Sequence, residues 1–288
     1  MRLEEIAAKF TIGLAPMYDK DEAKAIFYVV LEHFLNFNRS TYLLKKEQDL
    51  PDHQLKEIEL VLNELKTGKP VQYCLGETWF YGLRFKVSEA VLIPRPETEE
   101  LVDWIIEKVN HPISILDIGT GSGCIAIALK KHLTDAEVIG LDISSEALLI
   151  AKQNAVLNGV KISFIENDIL HYPISTDTTK HSIIVSNPPY ITQAEKAEMK
   201  ENVLANEPHM ALFVSDEKPL IFYEAIADFA LNKLQPEGLL FFEINEYLAK
   251  ETTHMLISKG FKNIELRKDM QGKDRMICCK LTTLDDTV

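Results

Sequence analysis

Asn187-Pro188-Pro189-Tyr190, directly after Val185-Ser186, is the most specific chemical feature of this 288-residue chain. Two consecutive prolines hold the backbone rigidly, so the carbonyls of the segment cannot turn away. The asparagine offers one acceptor oxygen and one amide donor, and the tyrosine offers a flat face to a planar group. Together they form a cradle for a planar NH₂ group. The Asn187 side-chain oxygen and the Pro188 carbonyl each accept one hydrogen, which aims the nitrogen lone pair at an electrophile in the adjacent pocket.

Three further sites lie upstream. Asp117-Ile118-Gly119-Thr120-Gly121-Ser122-Gly123 alternates glycines so that the backbone can turn sharply and approach a ligand with no Cβ in the way. Its G-x-G-x-G spacing is one residue shorter than the dinucleotide fingerprint, and no Walker lysine follows. The acid at its lip argues against a phosphate and for a cationic ligand. Asp142 stands 21 residues beyond Gly121 and can accept from both hydroxyls of a ribose; taken alone it reads equally as a cap for the next helix. Asn167-Asp168-Ile169 is a turn dipeptide in its plainest reading. Alternatively, Asp168 accepts from an exocyclic adenine amine while Ile169 lies on the base.

These residues need elements to hold them. Ala23, Ile26, Phe27, Val30, Leu31 and Phe34 recur at helical spacing, as do Leu55, Ile58, Leu62 and Leu65, before a Gly68–Pro70 stop. Aromatic and β-branched runs flanking Gly82 predict a hairpin. Strands are then expected at 113–118, 137–142, 161–165, 182–186, 238–244, 261–267 and 275–282. Helices are expected at 124–133, 146–157, 220–234 and 246–259. Repeated βα units with near-continuous apolar strands predict an α/β fold with a doubly wound, mostly parallel sheet covered on both faces. Ligands in such sheets bind beyond the carboxyl ends of the strands, where all four sites fall. The expected domains are a helical one at 1–70, a β-hairpin linker at 71–92 and a catalytic domain at 93–288.

The chain has 31 Lys+Arg against 44 Asp+Glu, a net charge of −13. That balance argues against direct nucleic-acid or anionic-membrane binding, where a basic footprint is expected. Of the deficit, residues 86–288 hold 20 basic and 31 acidic residues, while residues 1–85 are nearly neutral. The start, MRLEEIAAKF, has two early acids and no apolar h-region, so neither a signal peptide nor a membrane span is expected, and the expected location is cytoplasmic. Cys74, Cys124, Cys278 and Cys279 form no C-x-x-C and read as buried reduced thiols; no metal site is expected. Cys278 and Cys279 are neighbours in an expected strand and should point to opposite faces.

The set Asp117–Gly123, Asp142 and Asn187–Tyr190 resembles class I S-adenosylmethionine-dependent methyltransferases acting on a planar nitrogen. With Pro70-Val-Gln-Tyr73, Leu75-Gly76, Leu92-Ile-Pro-Arg-Pro-Glu-Thr-Glu99 and Glu207-Pro-x-x-Ala-Leu212, in this order, the chain is similar to the PrmC/HemK family. The resemblance is strong over roughly residues 70–280. It implies a seven-stranded methyltransferase sheet and transfer from S-adenosyl-L-methionine to the glutamine side-chain nitrogen of the Gly-Gly-Gln motif in class I peptide chain release factors. It further implies that Gly119, Thr120, Gly121, Ser122 and Gly123, with Asp117, hold the methionine moiety. By the same resemblance Asp142 holds the ribose, Asp168 and Ile169 border the adenine, and Asn187 touches cofactor and substrate. Pro188, Pro189 and Tyr190 then hold the glutamine amide. Ile169 departs from relatives that carry an aromatic there. The resemblance assigns Arg95 and Glu97 no role derivable from the residues; they are expected either to order the wall beside the cofactor or to be salt-bridge scaffolding. Substrate recognition by the N-terminal helices and a monomeric state are further expectations.

The rival enzyme class is an adenine-N6 or cytosine-N4 nucleic-acid methyltransferase, which shares the cradle but needs a basic groove to take a base out of its stack. A non-catalytic cofactor sensor is the other alternative, and it has little use for an amine cradle.

Overall fold

The computed structural model describes residues 1–109, 113–172, 178–199 and 201–281. Residue 282, the last of the expected final strand, lies outside them. The described chain divides into two compact units, one of residues 1–77 with 199–206 and one of residues 78–198 with 207–288.

The first unit is helical: α1 (Leu3–Leu14), α2 (Lys20–Leu35), α3 (Arg39–Lys45), α4 (Asp52–Leu65) and α5 (Val71–Leu75). Leu3, Ile6, Phe10 and Leu14 bury one face of α1 against Ile26, Phe27 and Val30 of α2 and Ile58 and Leu62 of α4. Asp19 caps α2 by accepting from the N–H groups of Asp21 and Glu22. Residues 71–75, expected as part of the hairpin linker, are helical and end at Gly76 in the left-handed region, φ 70°.

The hairpin itself is β1 (Glu77–Phe80) and β2 (Leu83–Lys86). Its two-residue turn, Tyr81-Gly82, has positive φ at both positions, 51° and 70°, the geometry that matches the twist of paired strands. Then follow α6 (Pro96–Lys108), β3 (Ser114–Ile118), α7 (Cys124–His132), β4 (Glu137–Asp142), α8 (Ser145–Leu157), β5 (Ser163–Glu166) and β6 (His181–Ser186). After these come β7 (Ile191–Thr192), α9 (Glu201–Asn206), α10 (His209–Leu212), β8 (Phe213–Val214), α11 (Ile221–Lys233) and β9 (Leu234–Glu243). The last elements are α12 (Ala249–Ser258), β10 (Phe261–Lys268) and β11 (Asp274–Leu281). The expected helix at 246–259 is a 3-10 turn, Glu246–Leu248, running into α12. The short parallel pair β7–β8 and helices α9 and α10 were not among the sequence expectations; α1 and α3 fall within the helical domain expected at 1–70 without having been individually delimited.

The main sheet has seven strands in the order β10-β11-β9-β6-β3-β4-β5. The five from β9 to β5 are parallel; β11 runs antiparallel to β9, and β10 to β11. Strand periodicity sorts the side chains into two cores. Ile115, Val185, Phe241 and Cys278 face α6 and α7, while Leu116, Ile184, Phe242 and Cys279 face α11 and α12. The adjacent cysteines therefore lie on opposite faces, as expected, and both are buried. Among the described residues, no helix is long and apolar enough to cross a membrane.

Candidate active site

The chain leaves β3 toward β4 and leaves β6 toward β9, on opposite sides, so a crevice opens at the carboxyl ends of this adjacent pair. Register places Ile118 beside Ser186, and the Ser186 hydroxyl donates to the Ile118 carbonyl at 2.7 Å. The glycine turn and Asn187 therefore start side by side. They line a cleft of about 480 Å³ together with Asp142, Asp168, Ile169 and Pro188.

In the glycine turn, Gly119 and Thr120 donate their backbone N–H groups to the Leu141 carbonyl, at 2.8 and 3.0 Å. The Gly121 N–H goes to Asp142 Oδ2 at 2.8 Å and the Gly123 N–H to the Thr120 carbonyl at 2.8 Å. With these donors engaged inside the protein, the turn is no nest for a phosphate. Gly119 has φ 73° and open space where a Cβ would stand, whereas a Cβ on Gly123 (φ 81°) would lie 3.0 Å from Ile127 and 3.2 Å from Ala151. The first glycine keeps room for a ligand and the third lets α7 pack on α8. Asn154, buried on α8, donates to the Ser122 carbonyl at 2.9 Å and accepts from the Lys86 N–H at 2.6 Å, anchoring the turn to the end of the hairpin.

Asp117 is not among the residues lining the cleft. It is buried beneath the turn, where Oδ2 accepts from the Thr120 hydroxyl at 2.6 Å and the Ala126 N–H at 3.3 Å. Burial pushes its carboxyl up to about 7, opposed by those two bonds. Asp142 does line the cleft, with Oδ1 accepting from the Ser144 N–H at 2.9 Å and Oδ2 from Gly121. Burial raises its carboxyl above the ordinary value against these bonds. One oxygen supports the start of α8 and the other the glycine turn, and each keeps a lone pair for a diol. Asp168 lines the cleft, but Oδ1 accepts from the Leu170 N–H at 2.9 Å and Oδ2 pairs with His171 at 2.6 Å. Burial works against its charge, yet those bonds prevail and hold it below the ordinary carboxylate value. It is a turn cap as well as a wall residue, and Ile169 stands next to it on the cleft.

Asn187, Pro188 and Pro189 line the cleft, whereas Tyr190 does not. The Tyr190 ring packs against the α11 and α12 core, and its hydroxyl donates to Glu243 Oε1 at 3.0 Å. The structure thus turns the tyrosine away from the flat-face role expected of it. Glu243, at the end of β9, also accepts from the Thr98 hydroxyl at 2.6 Å, and Asn187 Nδ2 donates to Thr98 Oγ1 at 3.3 Å. Thr98 sits in the first turn of α6, the helix covering the Phe241 and Glu243 face of the sheet.

That first turn accounts for the whole Pro94–Glu100 segment. Arg95 donates to buried Glu207 at 2.6 Å, joining two of the sequence signatures, and it also lines the cleft. Glu97 accepts from Gln271 at 3.1 Å, Glu99 from the Tyr81 N–H at 2.7 Å and Glu100 from the Met270 N–H at 3.2 Å. Both expectations for Arg95, wall and scaffold, describe one residue. Thr98, Asn154 and Glu243 were not singled out in the sequence as site residues. Glu243 carried a readable signal, a lone acid inside the apolar run LLFFEI.

Residues 16–76 match the family model described as PrmC N-terminal domain, and residues 98–213 that described as Methyltransferase small domain. A release factor glutamine methyltransferase of Flavobacterium psychrophilum is 49% identical over 284 residues, covering 96% of this chain and 98% of that protein. This chain belongs to the release factor glutamine methyltransferase family. The Bacteroides thetaiotaomicron member is 40% identical, again over 96% of this chain and 99% of the relative. A methyltransferase structure from Pyrococcus furiosus superposes with a TM-score of 0.52 at 17% identity, covering 71% of this chain and 91% of that one, which shows the fold.

The cleft of this family member fits S-adenosylmethionine. Among the described residues, Glu89, Asp142, Glu146 and Asp168 line it against a single cation, Arg95, itself paired with Glu207. An acidic, partly apolar cleft whose Gly119, Thr120, Gly121 and Gly123 amides are engaged suits a cationic nucleoside and repels a phosphate. Asp142 has lone pairs for the ribose hydroxyls, and Ile143 and Ile169 give apolar walls for a base.

Proposed function

We propose that Asn187 and Pro188 present the side-chain amide nitrogen of a release-factor glutamine to S-adenosylmethionine, in a protein-(glutamine-N5) methyltransferase reaction. The observation that carries this reading is the Asn187-Pro188-Pro189 segment lining the same cleft as the glycine turn and Asp142. S-adenosylmethionine, when bound, supplies an electrophilic methyl group on a positively charged sulfur.

An amide nitrogen is a poor nucleophile because its lone pair is delocalised into the carbonyl. Two acceptors on its hydrogens, Asn187 Oδ1 and the Pro188 carbonyl, draw density back to nitrogen and hold its lone pair in one direction. Orientation of this kind is worth about 7–11 kcal/mol in favourable intramolecular cases. No general base is needed, because the nitrogen sheds its proton easily once it is alkylated, and no His or Lys occurs from Ser182 to Thr192. Gly119, Gly121 and Asp142 would hold the cofactor, with Asp168 and Ile169 beside the base. The partner is a class I release factor, met without direct nucleic-acid binding, in the cytoplasm and by a monomeric enzyme. The N-terminal helices serve its recognition.

The decisive assay follows a labelled methyl group from cofactor to purified release factor, with a glutamine-to-alanine release factor as control and duplex DNA as a third arm. Label is expected only on the intact release factor; label on DNA would replace this reading with the base-methylating one. Asn187→Ala should lower kcat by about 100-fold or more, as for loss of a key transition-state hydrogen bond. Cofactor affinity, read by calorimetry, should largely survive.

A further inference from the structure

Glu243 is 2% exposed and stands at the end of β9, on the side of the sheet that α6 covers. Its carboxylate accepts from two hydroxyls, Thr98 at 2.6 Å and Tyr190 at 3.0 Å. A carboxylate has no proton to give, so each hydroxyl must donate to it. The single proton of Thr98 is then committed, and its oxygen can meet Asn187 only as an acceptor. The contact from Asn187 Nδ2 to Thr98 Oγ1, 3.3 Å, has that polarity. The nitrogen end of the Asn187 amide is held toward Thr98, which leaves Oδ1 as the end offered to the cleft.

We propose that Thr98 and Glu243 are positioning residues that set the direction of the Asn187 amide, and through it select a glutamine NH₂ group over a glutamate carboxylate. The proposal rests on the glutamine-methyltransferase reading above. A glutamine amide brings two hydrogens to two acceptors, Asn187 Oδ1 and the Pro188 carbonyl. A glutamate brings oxygens to the same two acceptors and is repelled. A site that leaves buried polar groups unpaired against the wrong substrate discriminates far more strongly than one that differs only in shape.

Protonating Glu243 reverses the chain. A carboxylic acid can donate to Thr98, Thr98 can then donate to Asn187, and the amide is free to turn its NH₂ end into the cleft. Burial raises the Glu243 carboxyl, while the Thr98 and Tyr190 hydroxyls and Arg275 of β11 lower it and Glu97 of α6 raises it. Tyr223 of α11 donates to the Glu243 main-chain carbonyl at 3.3 Å and so touches the same residue without accepting its proton.

The test uses the full chain labelled with ¹⁵N, without cofactor or substrate, and follows the Asn187 side-chain NH₂ signal, assigned by its loss in Asn187→Asp. One amide proton should be protected from exchange, and the signal should shift as acid protonates Glu243. Both properties should vanish in Thr98→Val; Glu243→Gln, neutral and carrying a donor like the protonated acid, should lose the shift and most of the protection, and Thr98→Ser should keep both. On a release-factor substrate, Thr98→Val should lower kcat by roughly 10- to 100-fold, the scale of a misplaced catalytic group. KM and cofactor Kd should stay within about twofold, and Thr98→Ser should recover most of kcat. An Asn187 signal in Thr98→Val identical to that of the parent would overturn the proposal, as would an unchanged kcat. Failure of the parent protein to methylate any release factor would sink the functional reading instead. The amide signal reads the Thr98–Glu243 relay without any methyl transfer and decides it separately.

Discussion

Asp117 opens the glycine-turn motif, yet its carboxylate holds the turn from below, bonded to Thr120 and Ala126. Its folded-state value of about 7 lies above the ordinary 3.8, so between those limits the native state binds the extra proton. Asp117 therefore costs stability above about pH 7, and the cost fades as pH falls toward 4. Asp117→Asn keeps an acceptor for Thr120 and removes the charge. Relative to the parent, its unfolding free energy without cofactor should rise as pH rises from 4 to 7 and then level off. Urea titrations at several pH values check this, and a pH-independent difference would show that the buried charge is not the cause. Asp142, only half-buried, answers differently: the backbone N–H groups of Gly121, Ile143 and Ser144 face it, and it borders the cleft. Two acids 25 residues apart thus divide the work, one positioning and one facing ligand.

At the scale of elements, the cleft is built by a β3–α7 turn whose glycines do separate jobs. Gly123→Ala adds left-handed strain to a Cβ already crowded by Ile127 and Ala151. It should cost about 2–4 kcal/mol of stability in urea titration, the sum expected of backbone strain and overpacking. Gly119→Ala meets no protein atom within 4 Å and should cost only the strain, about 1–2 kcal/mol. In return it should weaken cofactor binding roughly tenfold or more, equivalent to about 1.4 kcal/mol or more. If calorimetry found cofactor affinity untouched in Gly119→Ala, the ligand would not approach this backbone. The α6 N-terminus is the second constructive element. Pro96 starts the helix, and Arg95, Glu97, Thr98, Glu99 and Glu100 reach four segments of the same unit, Glu97 and Glu100 meeting the adjacent Gln271 and Met270.

At the scale of the molecule, the acidic surplus belongs to residues 86–288, with 20 basic against 31 acidic residues. An enzyme that draws its protein substrate through this field should lose attraction as salt shortens its range, from about 10 Å at 0.1 M to about 3 Å at 1 M. Raising salt from about 0.05 M to about 0.5 M should increase KM for the release factor and leave cofactor Kd nearly unchanged. A KM independent of salt would remove the field from the account of recognition.

Much of the sheet and the outline of the site were legible in one dimension. Strands such as Ser114–Ile118 and His181–Ser186 carry apolar residues on successive positions, Ile115-Leu116 and Ile183–Val185, because both faces are buried, and βα alternation then forces parallel order. The rule that ligands sit at the carboxyl ends of parallel strands is enough to bring Gly119, Asp142 and Asn187 together. Helix α1 lies in the expected helical region, and Leu3, Ile6, Phe10 and Leu14 keep helical spacing along it. The short α9 and α10 offered too few turns to show a period. What local patterns cannot encode is which polar atoms meet across the fold. Thr98 and Glu243 are separated by 145 residues, Arg95 and Glu207 by 112, and Asn187 lies 89 from Thr98. Hydrogen bonds are directional and short-ranged, so the direction of Tyr190 was decided only when β9 brought Glu243 to its hydroxyl and α11 and α12 packed beside its ring. Sequence alone determined the kind of chemistry, through the residue types gathered at one end of the sheet. Tertiary structure decided which of those residues face the ligand and which hold the others in place.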